Sequence, residues 1–442
     1  MEHGDISPGI TGRTAAEIAD SIRALVERGS LAAGEALPSV RTLAEGLGVN
    51  RNTAVAAYRQ LAHAGLLVSQ GRAGTRVADS APLAQDGYAP DSVLRDVGAG
   101  NPDPARIPDL SSALASLAGR PVLYGEPVID AGLAAFARDW LVPDVASPGD
   151  LRLTITNGAF DAVERLLAQA LARDDAVALE DPCFLGTIRT ARLAGYRPIA
   201  VPVDSEGMTP DGLRAALADG ARAVVCTPRA QNPTGAGLTA QRASDLRAVL
   251  ADHPYVLVIE DDHYSLLSTQ PYRSIISPSH RRWALVRSVS KFLGPDMSLA
   301  VVGTDGETAD RLAMRLSPGT TWVSHLLQRL ALALLTDGGV RRSIAEAGAH
   351  YAARNAAFAA LLSERGLDAA IGDGVNVWLR LPRPARDVSE RLMRRGWLAR
   401  AGDEFILDDA RRPSHALRLT VHALDDAEAA RLADDLAAAI RT

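Results

Sequence analysis

Among 47 basic residues the chain has 46 arginines and a single lysine, Lys291. Where only positive charge is needed, such a composition supplies arginine, so the surviving lysine marks a place that requires an amine. A primary amine can lose its proton and condense with a carbonyl to form a Schiff base, and a guanidinium does neither. Lys291 stands in Ser288-Val289-Ser290-Lys291-Phe292-Leu293-Gly294-Pro295, just after the apolar run Trp283 to Val286. A second feature is Thr156-Asn157-Gly158-Ala159-Phe160, a glycine turn running into a helix. Backbone N–H groups and the helix dipole at such a start bind a dianion without a cationic side chain. The third is a local basic face. Between Pro38 and Val77 lie Arg41, Arg51, Arg59, Arg72 and Arg76 against one acid, Glu45, in a chain whose net charge is -6. That pattern is the footprint of a DNA-binding module within an acidic protein, and it excludes a chain that coats nucleic acid over its whole surface.

The elements around these residues fall into two styles. Ile18, Ile22, Leu25 and Val26 recur at helical spacing between Thr14 and Arg28, with Gly29 near the stop. Pro38 and Ser39 open a short helix through Leu47, Gly48 breaks it, and Asn50 caps a helix from Arg51 to Ala64. Leu66 to Gln70 and Thr75 to Ala78 predict a hairpin whose tip, Gly71 to Gly74, is basic. Helix, short helix, turn, helix and hairpin together predict a winged helix-turn-helix over residues 1–78. Residues 79–99 lack periodicity and are expected to be a linker. Beyond Gly100, helices alternate with apolar β-rich runs, which predicts an α/β domain with a largely parallel sheet over 100–340. A smaller α+β subdomain is expected over 341–442. With 442 residues, 47% hydrophobic and 23% charged, the chain is a globular protein of two or three domains. It has no apolar run of about 18 residues, so no membrane span is expected. Met1 to Ile10 holds Glu2 and Asp5 and reads as no secretory signal, and Cys183 and Cys226 are too few for a disulfide framework or a cysteine-built metal site. A cytoplasmic protein without a metal is expected.

The N-terminal segment resembles the winged helix of the GntR family in Gly34-Glu35-Ala36-Leu37-Pro38-Ser39-Val40-Arg41, Leu43-Ala44, Gly48 to Thr53, Tyr58, Leu61, Gly65-Leu66 and Gly71 to Gly74. The resemblance implies readout of double-stranded DNA by Arg41, Arg51, Asn52, Thr53 and the wing residues Arg72 and Thr75. Arginine suits guanine and Asn52 suits adenine, while Arg59, Arg72 and Arg76 fit phosphate. From Gly100 to its end the chain resembles the fold-type I pyridoxal-phosphate domains of aspartate-aminotransferase architecture. That resemblance implies a Schiff base on Lys291, a pyridine-nitrogen partner in Asp261, and hydrogen bonds to the phenolic oxygen from Tyr264 and Asn232. It also implies ring stacking by Phe184, from Glu180-Asp181-Pro182-Cys183-Phe184, and phosphate binding at Gly158, Ala159, Phe160, Ser288 and Ser290. Tyr124 would reach the phosphate of a second subunit, and Arg418 would grip a substrate or effector carboxylate. One departure stands out: where the family carries a phosphate-binding arginine after the lysine, this chain has Ser298. Arg287 and Arg229 are the candidates to replace it.

The fusion is similar to the MocR/GabR regulators. It implies a homodimeric transcriptional regulator whose aminotransferase-like domain senses pyridoxal phosphate, a B6 vitamer or an amino compound. The alternative is a working aminotransferase with an accessory winged helix, because the residue inventory for turnover is intact.

Overall fold

The computed structural model describes residues 9–32, 34–63, 66–69, 74–77, 93–115, 117, 121–316, 322–407 and 413–441. The chain forms two compact units, Met1–Ala84 and Gln85–Thr442.

In the first unit the helix Ala15–Glu27 starts at Thr14, whose side chain accepts from the Glu17 N–H while Glu17 reaches back, a reciprocal cap. Ser39 caps Val40–Leu47, and Gly48 ends it in the left-handed conformation at φ 63°. The third helix is Arg51–His63, with Asn50 Oδ1 accepting from the Asn52 N–H. Ile18, Ile22, Leu43, Ala54, Ala57 and Leu61 are fully buried between the three helices. Leu67–Ser69 and Thr75–Val77 pair antiparallel as the predicted hairpin. Residues 70–73 of its tip, Arg72 among them, lie outside the described residues.

The second unit is built on an eight-stranded sheet. Across it run Arg152–Thr156, Ala300–Thr304, Trp283–Ser288, Leu257–Asp261, Ala221–Cys226, Ala176–Asp181, Arg197–Asp204 and Gly207–Met208. Ala300–Thr304 is antiparallel to both neighbours and Gly207–Met208 to its one neighbour; the other pairings are parallel. The central strands are buried on both faces, as cover by helices requires: Ala300–Thr304 and Trp283–Ser288 are buried at every position. A second sheet of four strands, Ala369–Ala370, Val377–Arg380, Ala416–Leu419 and Arg400–Ala401, closes the chain with the helices Ala385–Met393 and Asp426–Arg441.

The expected linker over 79–99 needs correction at its end. Arg95–Asp96 is a strand parallel to Trp397–Leu398, and Val97 is fully buried against the C-terminal core with Trp397 and Leu417. The lost periodicity was that of a strand too short to show alternation, paired with residues distant in sequence.

Candidate functional site

In an open parallel sheet the loops beyond the carboxyl ends of the strands converge on one edge, and functional groups gather there. Here that edge bears Asn157 after the first strand, Glu180 to Phe184 at the end of another, Thr227 and Asn232, Asp261 and His263, and Ser288 to Lys291. They surround one cavity of about 240 Å³, which Gly158, Ala159, Phe160 and Ser298 also line. The sequence-nominated residues Lys291, Asp261, Asn232, Phe184, Ser288, Ser290, Gly158, Ala159 and Phe160 therefore come together.

Gly158 opens the helix Gly158–Ala170 at φ +86°, a conformation that disfavours side chains, and a methyl there would lie 3.0 Å from Ser298 Oγ. Ser298 Oγ donates to the Asn157 carbonyl at 3.1 Å, and Ser288 Oγ to Ser290 Oγ at 3.2 Å, so hydroxyls cluster around the helix start. Phe160 and Phe184 converge on Gly186, where a Cβ would meet their rings at 2.5 and 2.6 Å.

Asp261 Oδ1 is shut off from solvent and has no hydrogen-bond partner among the described residues. Burial, together with the adjacent Asp262 carboxylate, pushes its pKa up to about 7, against the pull of Lys291. Glu180, also on the cavity wall, is pushed up to about 7 by burial despite accepting from the Thr227 N–H and Gln231 Nε2. Asp262 behaves in the opposite way. Burial works against its charge, but Arg229 holds both of its oxygens at 2.7 and 2.9 Å and Arg287 Nε adds a third bond at 2.9 Å, keeping its pKa low. Arg287 also donates to the Trp140 carbonyl and pairs with Asp144. Neither arginine lines the cavity, so the expectation that one of them replaces the missing phosphate arginine at Ser298 is corrected: both are consumed by Asp262.

Tyr264 is buried with its hydroxyl unpartnered among the described residues; burial, with Asp373 and Tyr351 adding to it, pushes the hydroxyl well above its usual range, and the residue is not on the cavity wall. His263, which the sequence reading passed over, is. Tyr124 is 92% exposed, its ring tilted 59° against that of Trp322 at 5.5 Å between centroids, and it does not line the chain's own cavity.

Two cations, Lys291 on the cavity wall and Arg418, which does not line it, hold backbone oxygens of a strap, Gly98–Asp103. Lys291 Nζ donates to the Gly100 carbonyl at 3.2 Å. Arg418, fully buried in Ala416–Leu419 and 4.7 Å above the Phe405 ring, donates to the Gly98 carbonyl at 2.6 Å and to Asn232 Oδ1 at 3.1 Å. The same strap is tied down by Thr420, which accepts from the Gly100 N–H at 2.9 Å, by His422 on the Asn101 carbonyl and by the Tyr351 hydroxyl on the Asp103 N–H.

In the first unit Arg51, Asn52 and Arg59 are exposed on one side of their helix and Thr53 is half-buried. Arg41 is exposed 3.5 Å from Glu45. Thr75 and Arg76 are half-buried, and Arg76 donates to the Gly34 carbonyl at 3.0 Å.

Comparison with known proteins matches residues 125–436 to aminotransferase class I and II and residues 14–77 to the bacterial regulatory proteins of the gntR family. The chain is 47% identical over 428 residues, 97% of its length and 98% of the other's, to the vitamin B6 salvage pathway transcriptional repressor PtsJ of Salmonella typhimurium. The chain belongs to the MocR/GabR-type regulators. It is also 26% identical over 343 residues, 74% of each chain, to the pyridoxine biosynthesis transcriptional regulator PdxR of Corynebacterium glutamicum. A kynurenine aminotransferase from Pyrococcus horikoshii shares the fold at TM-score 0.71 and 21% identity, over 79% of this chain and 91% of that one. A MocR/GabR-type chain is a DNA-binding transcriptional regulator carrying an aminotransferase-type domain. Among the described residues no helix is long and apolar enough to cross a membrane, and no group of metal-ligating side chains is assembled.

Proposed function

We propose that this regulator binds pyridoxal phosphate at Lys291 and reads a B6 vitamer or, as the alternative effector, an amino compound. The relatives named for vitamin B6 salvage and pyridoxine biosynthesis support the first choice. The cavity fits the group. A carboxyl raised to about 7 with an orphaned oxygen suits a buried cationic partner, and Asp261 would supply that anion to a pyridinium. The helix start at Gly158 and the hydroxyls of Ser288, Ser290 and Ser298 would hold a phosphate, and Phe184 and Asn232 would flank the ring. Pyridoxal phosphate, when bound, supplies a carbonyl for the Lys291 amine and an electron-withdrawing ring. Tyr124, exposed as it is, is proposed to reach the phosphate site of a second copy in a homodimer.

The observation that carries regulation is the identity of the atoms held by Lys291 and Arg418. Both donate to the strap Gly98–Asp103, the stretch that follows the DNA-binding module and its connecting segment. An amine committed to a carbonyl carbon can no longer hold the Gly100 oxygen, and an arginine that forks a carboxylate turns N–H groups away from Gly98. Ligand and strap therefore compete for the same donors, which is the difference in interaction free energy a ligand needs to shift an equilibrium between two states. The test is operator affinity of the purified protein with and without pyridoxal phosphate, beside amide exchange over residues 94–103. The expected result is faster exchange of the strap and a changed DNA affinity; unchanged values of both would refute the reading. The second reading, a working aminotransferase, is favoured by the pairing of Arg418 with Asn232 beside the cavity, and repeated amino-group turnover at unchanged DNA affinity would support it.

A further inference from the structure

A second cavity, of about 590 Å³, shares two chain segments with the Lys291 cavity. Pro182, Thr234 and Gly235 line the second, while Cys183, Phe184 and Asn232 line the first. The strand Val377–Arg380 supplies another wall. Side chains alternate along a strand. Val377 and Leu379 pack into the C-terminal core, so Trp378 and Arg380 face the second cavity, with Ala370 of the neighbouring strand opposite Trp378.

The charges around this cavity do not balance. Among the described residues its titratable side chains are Asp204, Asp373, Arg273 and Arg380. Both acids are already held. Arg242, which is not on the wall, donates to the two oxygens of Asp204 at 2.8 Å each. Asp373 is buried and accepts from the Ser268 hydroxyl and from the Gly374 N–H at 3.1 Å. Arg273 and Arg380 are exposed and have no ion pair and no hydrogen-bond acceptor among the described residues. One exposed arginine is ordinarily just solvated; two on one concave surface beside an indole are the fittings of an anion site. Guanidinium groups fork carboxylate or phosphate oxygens, and an indole packs against a flat ring. We propose that this cavity is a second ligand site, for a small planar aromatic anion such as an aryl phosphate, and that its occupant acts on the Lys291 cavity through the shared segments. Only the second half rests on the reading that Lys291 holds pyridoxal phosphate.

The shared segments form one hydrogen-bonded piece. Gln231, 1% exposed, donates from Nε2 to the Pro182 carbonyl at 2.8 Å. Its Oε1 accepts from the Thr234 N–H at 3.1 Å and from the Thr234 hydroxyl at 2.6 Å. Gly235 sits at φ +73°, and a Cβ there would lie 2.7 Å from the Asp373 carbonyl, so the turn after Asn232 packs backbone on backbone against the loop that carries Asp373. The Asp373 N–H donates to the Gly235 carbonyl at 2.8 Å. A ligand that bears on Thr234 or Gly235 therefore bears on Asn232, and one that bears on Pro182 bears on Phe184. Coupling of this kind is reciprocal.

The experiment fixes pyridoxal phosphate to Lys291 with borohydride, dialyses away the excess and titrates the full chain with phenyl phosphate by calorimetry. Inorganic phosphate and phenol supply the anion and the ring alone, and melting of each variant is the folding control. Phenyl phosphate should bind saturably and more tightly than either part. Arg273→Gln and Arg380→Gln should each weaken it about tenfold, the lower end for a charge-assisted bond because both arginines face water. Arg341→Gln, exposed and off the cavity wall, should not. The pyridoxyl absorbance should shift as the second cavity fills. No saturable binding, or binding unaltered in both cavity-arginine variants, overturns the site. An unmoved pyridoxyl band with phenyl phosphate bound overturns the coupling. A chain that takes no pyridoxyl group at Lys291 refutes the cofactor reading instead, and the same titrations of the untreated chain then decide the second site.

Discussion

Replacing Asp261 by asparagine should stabilise the protein while removing its cofactor. An aspartate whose pKa is about 3.9 in the unfolded chain and about 7 in the fold destabilises the fold, once ionised, by about 4 kcal/mol. Asp261 borders the cavity, where water screens part of this, so about 2 to 4 kcal/mol is expected. The sign follows from the raised pKa. The penalty is complete above pH 7, shrinks as pH falls, and is gone below pH 4. Asp261→Asn should therefore unfold at higher urea than wild type at pH 8, with the gap closing toward pH 4. All five tryptophans lie in Gln85–Thr442, so tryptophan fluorescence follows that unit alone. The same variant should lose most affinity for pyridoxal phosphate, because a neutral amide does not balance a buried pyridinium. Equal urea midpoints at pH 8 would refute the buried-charge argument, and full retention of the cofactor would refute the role of Asp261.

Other outcomes can be stated briefly. Ser298→Arg should tighten pyridoxal-phosphate binding by about 10- to 150-fold, the value of a charge-assisted bond of about 1.5 to 3 kcal/mol, whereas wild type should release it on dialysis; absorbance titration before and after dialysis checks both. Lys291→Arg keeps the charge and should abolish the borohydride-fixed pyridoxyl adduct, read by mass spectrometry of the Ser288–Pro295 region. Arg51→Ala should weaken operator binding by about 1 to 3 kcal/mol and relax specificity, with little change for random duplex, in a salt-controlled fluorescence titration.

Much of this was legible in the sequence because the signals are local. Thr14, Ser39, Gly48 and Asn50 announce helix ends through bonds to their own neighbours, and the structure has those bonds or conformations at all four. The lysine count identified the cavity's amine without any geometry. What escaped depended on direction or distance. A motif of spacing Asp-x-x-Tyr names residue types, but the strand ends at Asp261 and the chain turns at Tyr264, so spacing alone does not say that His263 also lines the cavity. The doubled acid Asp261-Asp262 could have warned that a second carboxylate at a buried strand end must find cations, and so that Arg229 and Arg287 were already committed. The strand Arg95–Asp96 had no local sign, since its partner is Trp397–Leu398.

The strap presents its contacts to Lys291 and Arg418 as main-chain oxygens, and this has an evolutionary consequence. No point substitution deletes a carbonyl, so the acceptors at Gly98 and Gly100 persist whatever happens to the surrounding side chains. The demand falls on shape instead: Gly100 sits at φ +69°, and a methyl there would come within 3.0 Å of the Arg418 guanidinium. On the proposed reading, cavity residues such as Phe184, His263 and Ser298 can then drift toward new vitamers or amines while the step that would pass their presence along the chain stays the same. Divergence of what is sensed becomes separable from conservation of how the signal leaves the pocket.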